Sequence, residues 1–344
     1  MRRLFKLLIT LFIIFTVVGI LSFLNASFKL SKELGQPTNY LIKTIYNASR
    51  YNPYLNKDKI NFLILGLDER DDALEKTETT DSIIFASLNL KDYKINTISL
   101  PRDLWFYNIN AKINEIYPLS LKEPNKFSFI KNNFQKLINQ DIDHVIVMTT
   151  ENLIEFVKII GGVDLTLEQG FIDKQYPNPD YIKDPSSGAP IYKTIEFKSG
   201  PIHLDESNIT EFVRSRHGGE TVAQGGTDLA RIQRQQLLIE AIIEKIKNET
   251  SFITNESQII DLYNFWNKDL IKDITDVNAL QITSAISSNF SKISLNKIEL
   301  KIGETAKDGV IYHPTKFINK QWVFIPVDEN YQQLQDFIKT SISQ

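Results

Sequence analysis

Three stretches decide the fold: "INFLILG" (residues 60–66), "DSIIFASLNL" (81–90) and "KINTISL" (94–100). Each is a short apolar run rich in Ile, Leu and Phe, and turn residues separate the runs. Continuous apolar runs of this length are typical of strands that are buried on both faces of a sheet. "HVIVMT" (144–149) and "VDLTL" (163–167) predict two further strands.

Helical patterns alternate with these strands. Apolar residues recur at helical spacing in "KFSFIKNNFQKLI" (126–138) and in "TENLIEFVKIIGG" (150–162), where Thr150 is the expected N-cap and a glycine pair ends the helix. "LARIQRQQLLIEAIIEKIKN" (229–248) predicts a long third helix. This alternation predicts an α/β fold with a central mixed β-sheet flanked by helices.

The rest of the chain carries weaker signals. Residues 173–190 are rich in proline and are expected to form a surface loop. Beyond residue 250 we expect a helix around "VNALQITSAISSNF" (277–290), strands at "KIELKI" (297–302) and "QWVFI" (321–325), and a terminal helix in "DENYQQLQDFIKTSI" (328–342).

Composition excludes several classes of protein. The chain has 344 residues, with 39 Lys and Arg against 42 Asp and Glu, and a net charge of -3. This balance argues against a polybasic nucleic-acid binder. The absence of cysteine excludes disulfides and thiolate sites. No two of the four histidines stand at the spacing of a zinc motif, and the chain lacks P-loop, GxGxxG and GxSxG motifs.

The amino terminus predicts a membrane anchor. "LFKLLITLFIIFTVVGILSFL" (4–24) is apolar apart from one lysine and is long enough to span a bilayer as a helix. The basic residues Arg2, Arg3 and Lys6 place this end in the cytoplasm by the positive-inside rule. We expect an extracytoplasmic linker over 25–58, a catalytic domain over 59–250, and a carboxy-terminal extension over 251–344 that completes or flanks it.

Arginines gather in "FVRSR" (212–216) and "TDLARIQRQQ" (227–236). On a helix, Arg231, Arg234 and Gln235 project from one side, and in an extended segment Arg214 and Arg216 point the same way. Arginine forks match phosphate oxygens, so these residues predict a pyrophosphate clamp. The alternative is a solvated basic face that is paired with nearby acids.

Acidic residues lie at the ends of the predicted strands. Asp68 follows the first strand, Asp81 begins the second, and Arg102 and Asp103 follow the third. In α/β proteins, sites gather at such strand ends, and carboxylates there suit Mg²⁺ or Mn²⁺ that is shared with substrate phosphates. The alternative is ordinary turn chemistry, since aspartate favours turns.

In this order the motifs resemble the LytR-CpsA-Psr family of cell-wall ligases. The resemblance covers roughly residues 60–247 and includes "NFLILGLDER", "TDSIIFASLNLKDYKINTISLPRD", "KIN" (112–114), "IDHVIVMTTENLIEFVKIIGGVDLTL", "FVRSR" and "TDLARIQRQQ". It implies a membrane-anchored phosphotransferase that moves a glycopolymer from a polyprenyl pyrophosphate carrier to a peptidoglycan hydroxyl, with Mg²⁺ or Mn²⁺ as cofactor.

The resemblance also implies roles for single residues. Asp68 and Asp81 match the metal-associated aspartates. The residues that match the pyrophosphate-binding set are Arg102, Arg214, Arg216 and Arg231, with Gln235 at the head group. Asp228 and Arg234 lie in the same motif, and Asp103 is expected to orient Arg102.

One departure from the family pattern keeps two other functions open. Many relatives carry arginine two residues before the second aspartate, whereas this chain has Thr79. The same clamp would serve a hydrolase of lipid pyrophosphates, with water as the nucleophile. It would also serve a non-catalytic protein that binds such lipids or regulates their use.

Overall fold

The computed structural model describes residues 21, 24–72, 75–216, 228–248 and 255–343, with the backbone alone at 68–72, 75–78 and 228–229. The strands are β1 (Lys59–Asp72), β2 (Glu75–Asn89), β3 (Lys94–Ser99), β4 (Trp105–Phe106), β5 (Ala111–Lys112), β6 (His144–Met148), β7 (Val163–Leu167), β8 (Phe171–Pro177), β9 (Tyr192–Phe197), β10 (Gly200–Leu204), β11 (Ile271–Lys272), β12 (Ser294–Ile298), β13 (Ile302–Gly303), β14 (Ile311–Tyr312) and β15 (Ile325–Pro326).

The helices follow the predicted pattern for the long apolar stripes. Residues 24–33 are helical, and the helices that follow them are α1 (Tyr40–Arg50), α2 (Ile116–Ser120), α3 (Lys126–Ile138), α4 (Thr150–Ile159), α5 (Pro179–Lys183), α6 (Ile209–Arg214), α7 (Asp228–Asn248), α8 (Glu256–Asn264), α9 (Asp276–Ile286) and α10 (Gln332–Ser341). The expected cap of α4 is wrong by one residue. Thr149 is the N-cap, and its side chain and that of Asn152 form a reciprocal capping box.

A six-stranded mixed sheet lies at the centre, in the order β11–β6–β1–β2–β3–β12. β2 pairs antiparallel with both β1 and β3, whereas β6 runs parallel to β1 and β12 runs parallel to β3. This arrangement confirms the predicted central mixed sheet. Because β12 closes one edge, residues beyond 250 belong to the same sheet as the first three strands.

Helices and a first apolar core cover one face of this sheet. Leu63, Leu65 and Phe85 from β1 and β2 are fully buried among residues of α3 and α10. Phe134 on α3 and Leu334 on α10 are also fully buried in this core. Of the remaining helices, α4 contacts β1 and α7 contacts β12. The sheet is therefore flanked by helices, as the sequence predicts.

A second apolar core joins α4, α6 and α7 to two small β-ladders. β7 pairs with β10, and β8 pairs with β9, both antiparallel. Phe171 and Phe197 stack across the second ladder with ring centroids 5.1 Å apart, and Phe212 of α6 packs edge-on against Phe197 at 5.3 Å. The expected loop over 173–190 is thus partly wrong, since it contains the end of β8 and the short helix α5.

Contacts group the chain into two compact units. The first comprises residues up to Asn56 together with Thr275–Ser288, and the second comprises Lys57–Ile274 together with Asn289–Gln344. Within the first unit, α1 packs on α9, and the Tyr40 hydroxyl donates to the carboxylate of Asp276. All candidate site residues belong to the second unit.

The predicted membrane helix lies outside the described residues, except for positions 21 and 24. Among the residues that the structure describes, no helix has both the length and the apolar character that crossing a membrane requires.

Candidate active site

The β1–β2 ladder changes register beside Asp81. Gly66 pairs with Ser82 and Leu67 pairs with Thr80, so Asp81 is the extra residue of a β-bulge. A bulge bends its strand and re-aims the side chain of the extra residue, and bulges are common beside active sites. The prediction that Asp81 begins a strand is therefore wrong, since it lies inside β2. Asp68 likewise lies inside β1 and not after it.

Three arginines surround Asp81. Arg102 donates from Nη1 to Oδ1, and Arg216 donates from Nη2 to Oδ2, so the two guanidinium groups hold different oxygens of one carboxylate. Arg231 donates from Nη2 to the Asp81 carbonyl oxygen at 3.1 Å, and its Nη1 lies 3.6 Å from Oδ2. The structure thus brings together four residues that the sequence assigns to one site.

These contacts set the charge state of Asp81. Burial by itself would raise the pKa of its carboxyl, but the charges of Arg216 and Arg102 and their hydrogen bonds outweigh burial and lower the pKa below its ordinary value of 3.8. An efficient general base has a pKa near the working pH. While these arginines are bound to it, Asp81 is therefore suited to pairing with cations and poorly suited to accepting a proton.

Arg102 is held from behind by an acidic neighbour. Its Nε donates to Oδ2 of Asp103 at 3.3 Å, which agrees with the expected orienting role. Lys112 on β5 donates from Nζ to Oδ1 of the same carboxylate at 2.6 Å. Each oxygen of Asp103 therefore has a cationic donor, and the resulting chain Lys112–Asp103–Arg102–Asp81 fixes the guanidinium of Arg102 at the site.

Arg216 is positioned through its backbone by Asp173, which is fully buried on β8. Oδ2 of Asp173 accepts hydrogen bonds from the Ser215 hydroxyl at 2.6 Å and from the Arg216 amide at 3.0 Å. Arg214 is the last residue of α6, so the prediction that it lies in an extended segment is wrong. The chain leaves the helix at Ser215, and this exit directs Arg216 toward Asp81.

Arg234 lies in the interior, with 4% of its surface exposed. Its Nε donates to the Phe212 carbonyl oxygen at 3.0 Å, its Nη2 donates to the Ser215 carbonyl oxygen, and its guanidinium lies 4.3 Å from the centre of the Phe171 ring. Burial lowers its pKa to about 10 against the opposing charge of Asp173, so it stays cationic at neutral pH. The alternative of a solvated face is therefore wrong for Arg234, which anchors the turn that carries Arg216.

Gln235 links the bulged strand to α6. Its Oε1 accepts a hydrogen bond from the Ser82 hydroxyl at 2.9 Å, and its Nε2 donates to the Val213 carbonyl oxygen at 3.3 Å. Gln235 therefore contacts the residue that follows Asp81 on β2, and it lies on the same side of α7 as Arg231. The side chains of Asp68 and Asp228, at β1 and at the first residue of α7, lie outside the described residues.

Two residues of the site carry no sequence prediction. Lys112 belongs to the "KIN" stretch, which contributes to the family resemblance but indicates no role for the lysine. Asp173 lies on the same buried face of β8 as Phe171. An acidic residue on the buried face of a strand is a signal for a hydrogen-bonding role. That signal depends on recognising β8, which the proline-rich composition of the segment hides.

Comparisons with known proteins identify the family of this chain. A protein-family model described as the LytR_cpsA_psr family matches residues 20–336. The Oceanobacillus iheyensis protein named polyisoprenyl-teichoic acid–peptidoglycan teichoic acid transferase TagU is 26% identical over 293 residues, which cover 83% of this chain and 77% of that protein. An Enterococcus faecalis protein of the same name is 21% identical over 276 residues, covering 79% of this chain and 80% of the relative.

A solved structure shows the same fold. The crystal structure of B. subtilis TagV superposes with a TM-score of 0.57 at 16% sequence identity, covering 84% of this chain and 98% of the other. Since the family match extends over most of the sequence, this protein belongs to the LytR_cpsA_psr family.

Proposed function

We propose that this protein transfers a glycopolymer, as a sugar phosphate, from a polyprenyl pyrophosphate carrier to a hydroxyl of peptidoglycan and releases polyprenyl phosphate. The observation that carries the proposal is the convergence of Arg102, Arg216 and Arg231 on Asp81. The relatives are named polyisoprenyl-teichoic acid–peptidoglycan teichoic acid transferases, and that name supports this pair of substrates. The arginine cluster forms although Thr79 replaces the arginine of many relatives.

In this proposal the Asp81 carboxylate occupies the place that a pyrophosphate takes during the reaction. Guanidinium groups bind carboxylate and phosphate oxygens in the same forked geometry. The side chains of Arg102 and Arg216 each keep 23% of their surface exposed, so both are accessible from solvent. An incoming pyrophosphate therefore exchanges with Asp81 for these two arginines.

Phosphoryl transfer depends mainly on positioning and on charge neutralisation. The acceptor oxygen forms a bond to the phosphorus that carries the glycan, and the bond from this phosphorus to the bridging oxygen breaks. The bridging oxygen leaves as part of polyprenyl phosphate, and the proton of the acceptor hydroxyl passes to this leaving phosphate or to water. Arginines that are already in place stabilise the charge on the transferred and leaving phosphates without reorganisation.

Mg²⁺ or Mn²⁺ is the cofactor that we propose, with Asp81 and Asp68 as its protein ligands. Within the described part of the chain, no group of three or more His, Cys, Asp or Glu side chains could hold an ion. The two aspartates would suit Mg²⁺, which commonly takes one or two carboxylates and completes its shell with substrate phosphates and water. A bound ion would neutralise part of the pyrophosphate charge.

The location of the reaction follows from the apolar run at residues 4–24. We propose that this run anchors the protein as a single-pass helix with residues 1–3 in the cytoplasm and the catalytic unit outside. The carrier lipid and peptidoglycan are then both accessible to the site. Protease treatment of intact spheroplasts tests this topology: the expected result is digestion of the carboxy-terminal part from outside.

Product analysis tests the proposed reaction. The full chain in detergent is mixed with a lipid-linked glycopolymer, a peptidoglycan oligosaccharide and Mg²⁺. We expect glycan joined to the oligosaccharide through a phosphodiester, with one polyprenyl phosphate released per linkage. Arg102→Ala should reduce the rate by about 10²–10³-fold, the usual effect of removing one charge-stabilising donor.

Two results would contradict the proposal. Free sugar phosphate in place of the phosphodiester would indicate a hydrolase, and tight binding of the donor without turnover would indicate a non-catalytic protein. Arg50→Ala is the matched control, because Arg50 is an exposed arginine on α1. Its rate should equal that of the wild type.

A further inference from the structure

The strands β1 and β2 approach each other closely at the pair of residues that adjoins the bulge. Gly66 on β1 lies opposite Ser82 on β2. A Cβ atom at position 66 would lie 2.9 Å from the Cβ of Ser82. In a regular antiparallel pair, the Cβ atoms of directly opposite residues are about 4.5–5.5 Å apart. The two backbones are therefore closer here than side chains on both strands allow, and glycine is the residue that fits at position 66.

The surroundings of β1 leave it no room to move away from Ser82. On its other edge, Gly66 pairs in parallel register with Met148 of β6. Its chain neighbours Leu65 and Leu67 are both buried in the first core. The Cβ of Ser82 is bonded directly to the backbone of β2, so no rotation of the side chain moves it aside. A methyl group added at position 66 would therefore displace β2.

A displaced Ser82 would carry Asp81 with it, because Asp81 is the preceding residue of β2. On the other side of Asp81, Thr80 is held in place, since its hydroxyl donates to the Asn114 carbonyl oxygen at 3.2 Å. Carbon atoms in ordinary contact are about 3.5–4.0 Å apart, so a Cβ at position 66 would have to move Ser82 by roughly 0.6 Å or more. Misplacements of about 1 Å in an active site can lower the rate by about 10²-fold.

We propose that Gly66 is a positioning residue of the candidate active site. Its lack of a side chain lets β2 approach β1 closely enough to form the bulge that presents Asp81 to Arg102 and Arg216. Gly66 acts through Ser82 and contacts no substrate itself. The consequence for the transfer rate rests on the proposed function, whereas the consequence for the arrangement of Asp81 does not.

A double-mutant cycle between positions 66 and 82 tests the proposal. The transfer rate is measured for the full chain in detergent as wild type, Gly66→Ala, Ser82→Gly and the double variant. In the wild-type background, Gly66→Ala should lower the rate about 10²-fold. Ser82→Gly removes the opposing Cβ, so in that background Gly66→Ala should change the rate by no more than about threefold. The double variant should therefore be more active than Gly66→Ala alone.

A purely structural role for Gly66 predicts a different result. Gly66→Ala would then lower the melting temperature without changing the rate of the folded protein, or it would lower the rate equally in both backgrounds. Either outcome would overturn the proposal. Gly35→Ala is the matched control, because no atom lies within 4 Å of a Cβ at Gly35, which belongs to the first unit. With φ at 67°, Gly35→Ala should lower the melting temperature and leave the rate unchanged.

Binding of a short prenyl pyrophosphate separates this inference from the proposed function. In the presence of Mg²⁺, Gly66→Ala should raise the Kd about tenfold when Ser82 is present, the effect of one lost charged hydrogen bond. It should leave the Kd unchanged in the Ser82→Gly background. If this coupling is found and no protein transfers glycan, the positioning role stands and the transferase function fails. If transfer proceeds equally in Gly66→Ala and the wild type, the function stands and the positioning role fails.

A crystal structure of Gly66→Ala tests the proposal without any substrate. The Asp81 carboxylate should lose its contact with Arg102 or with Arg216, and the double variant with Ser82→Gly should regain it. Unchanged contacts of Asp81 in Gly66→Ala would overturn the proposal, whatever the activity of the protein.

Discussion

Two pairs of arginines in this protein have the same chemistry and different environments. The side chains of Arg102 and Arg216 keep 23% of their surface exposed at the rim of the site. The side chain of Arg231 keeps 3%, and Arg234 as a whole keeps 4%. The guanidinium groups of the rim pair donate to side-chain carboxylates, whereas those of the interior pair donate to backbone carbonyl oxygens.

This difference in environment suggests different roles for the two pairs of arginines. A buried guanidinium has lost its hydration and needs fixed acceptors, which the carbonyl groups of Asp81, Phe212 and Ser215 supply. Such an arginine shapes the backbone around the site. A rim arginine keeps access to solvent and can exchange a carboxylate for a phosphate. We therefore propose that the interior pair holds the site in place and that the rim pair binds the substrate.

The largest effect is expected at the rim. Arg216→Ala should lower the transfer rate by about 10²–10³-fold, because it removes a donor to the developing phosphate charge. Its free energy of unfolding should fall by about 1–2 kcal/mol, the contribution of one charged hydrogen bond, because Asp81 keeps Arg102 as a partner. Steady-state rates and urea unfolding measure the two quantities. A rate within about threefold of the wild type would remove Arg216 from the substrate-binding pair.

The interior should behave in the opposite way. Arg234→Met leaves the buried carbonyl groups of Phe212 and Ser215 without their donor and should lower the free energy of unfolding by about 3 kcal/mol. Urea denaturation followed by circular dichroism measures this loss, with Arg50→Met as the control at an exposed arginine. Equal stability of the Arg234→Met variant and the wild type would show that the comparison between rim and interior is wrong.

Substitutions of Gln235 test the link between the bulged strand β2 and α6. Gln235→Leu removes the hydrogen bonds to Ser82 and Val213 and should lower the free energy of unfolding by about 1 kcal/mol. Gln235→Glu retains an acceptor for Ser82 but sets a carboxylate oxygen against the Val213 carbonyl oxygen, so it should lose at least as much. The measurement is again urea unfolding, and unchanged stability of both variants would contradict this assignment.

The smallest effect concerns pH. The pKa of Asp81 is lower in the folded protein than in the unfolded chain, so its ionised form adds stability above about pH 4. That contribution is lost as the pH falls through the folded pKa. Asp81→Asn should therefore show a shallower loss of stability between about pH 5 and pH 3 than the wild type. Parallel stability curves for the two proteins would indicate that Asp81 is not held by the arginines.

The sequence predicts the architecture well because long periodic patterns determine it. The runs at 60–66, 81–90 and 94–100 all form strands, and the stripes at 126–138 and 229–248 form helices. The short carboxy-terminal runs are less informative. "KIELKI" divides between β12 and β13, and only the last residue of "QWVFI" enters β15, because long-range contacts set these short pairings.

The site is harder to predict because its geometry depends on pairing between distant segments. The bulge at Asp81 arises from a register change against β1, which no local pattern signals. The role of Arg234 depends on carbonyl groups about twenty residues away in α6 and the turn after it. In the sequence, the arginines at the rim and in the interior equally indicate an anion site. Only tertiary structure shows which arginine binds a ligand and which supports the backbone.

Binding of a short prenyl pyrophosphate to wild type and Asp81→Asn tests the exchange between carboxylate and pyrophosphate most directly. With metal removed by a chelator, Asp81 competes with the ligand for Arg102 and Arg216. Asp81→Asn should then bind several-fold more tightly than the wild type, and added Mg²⁺ should restore the advantage of the wild type. Weaker binding by Asp81→Asn in the absence of metal would contradict the account, because Asp81 would then support the ligand and not occupy its place.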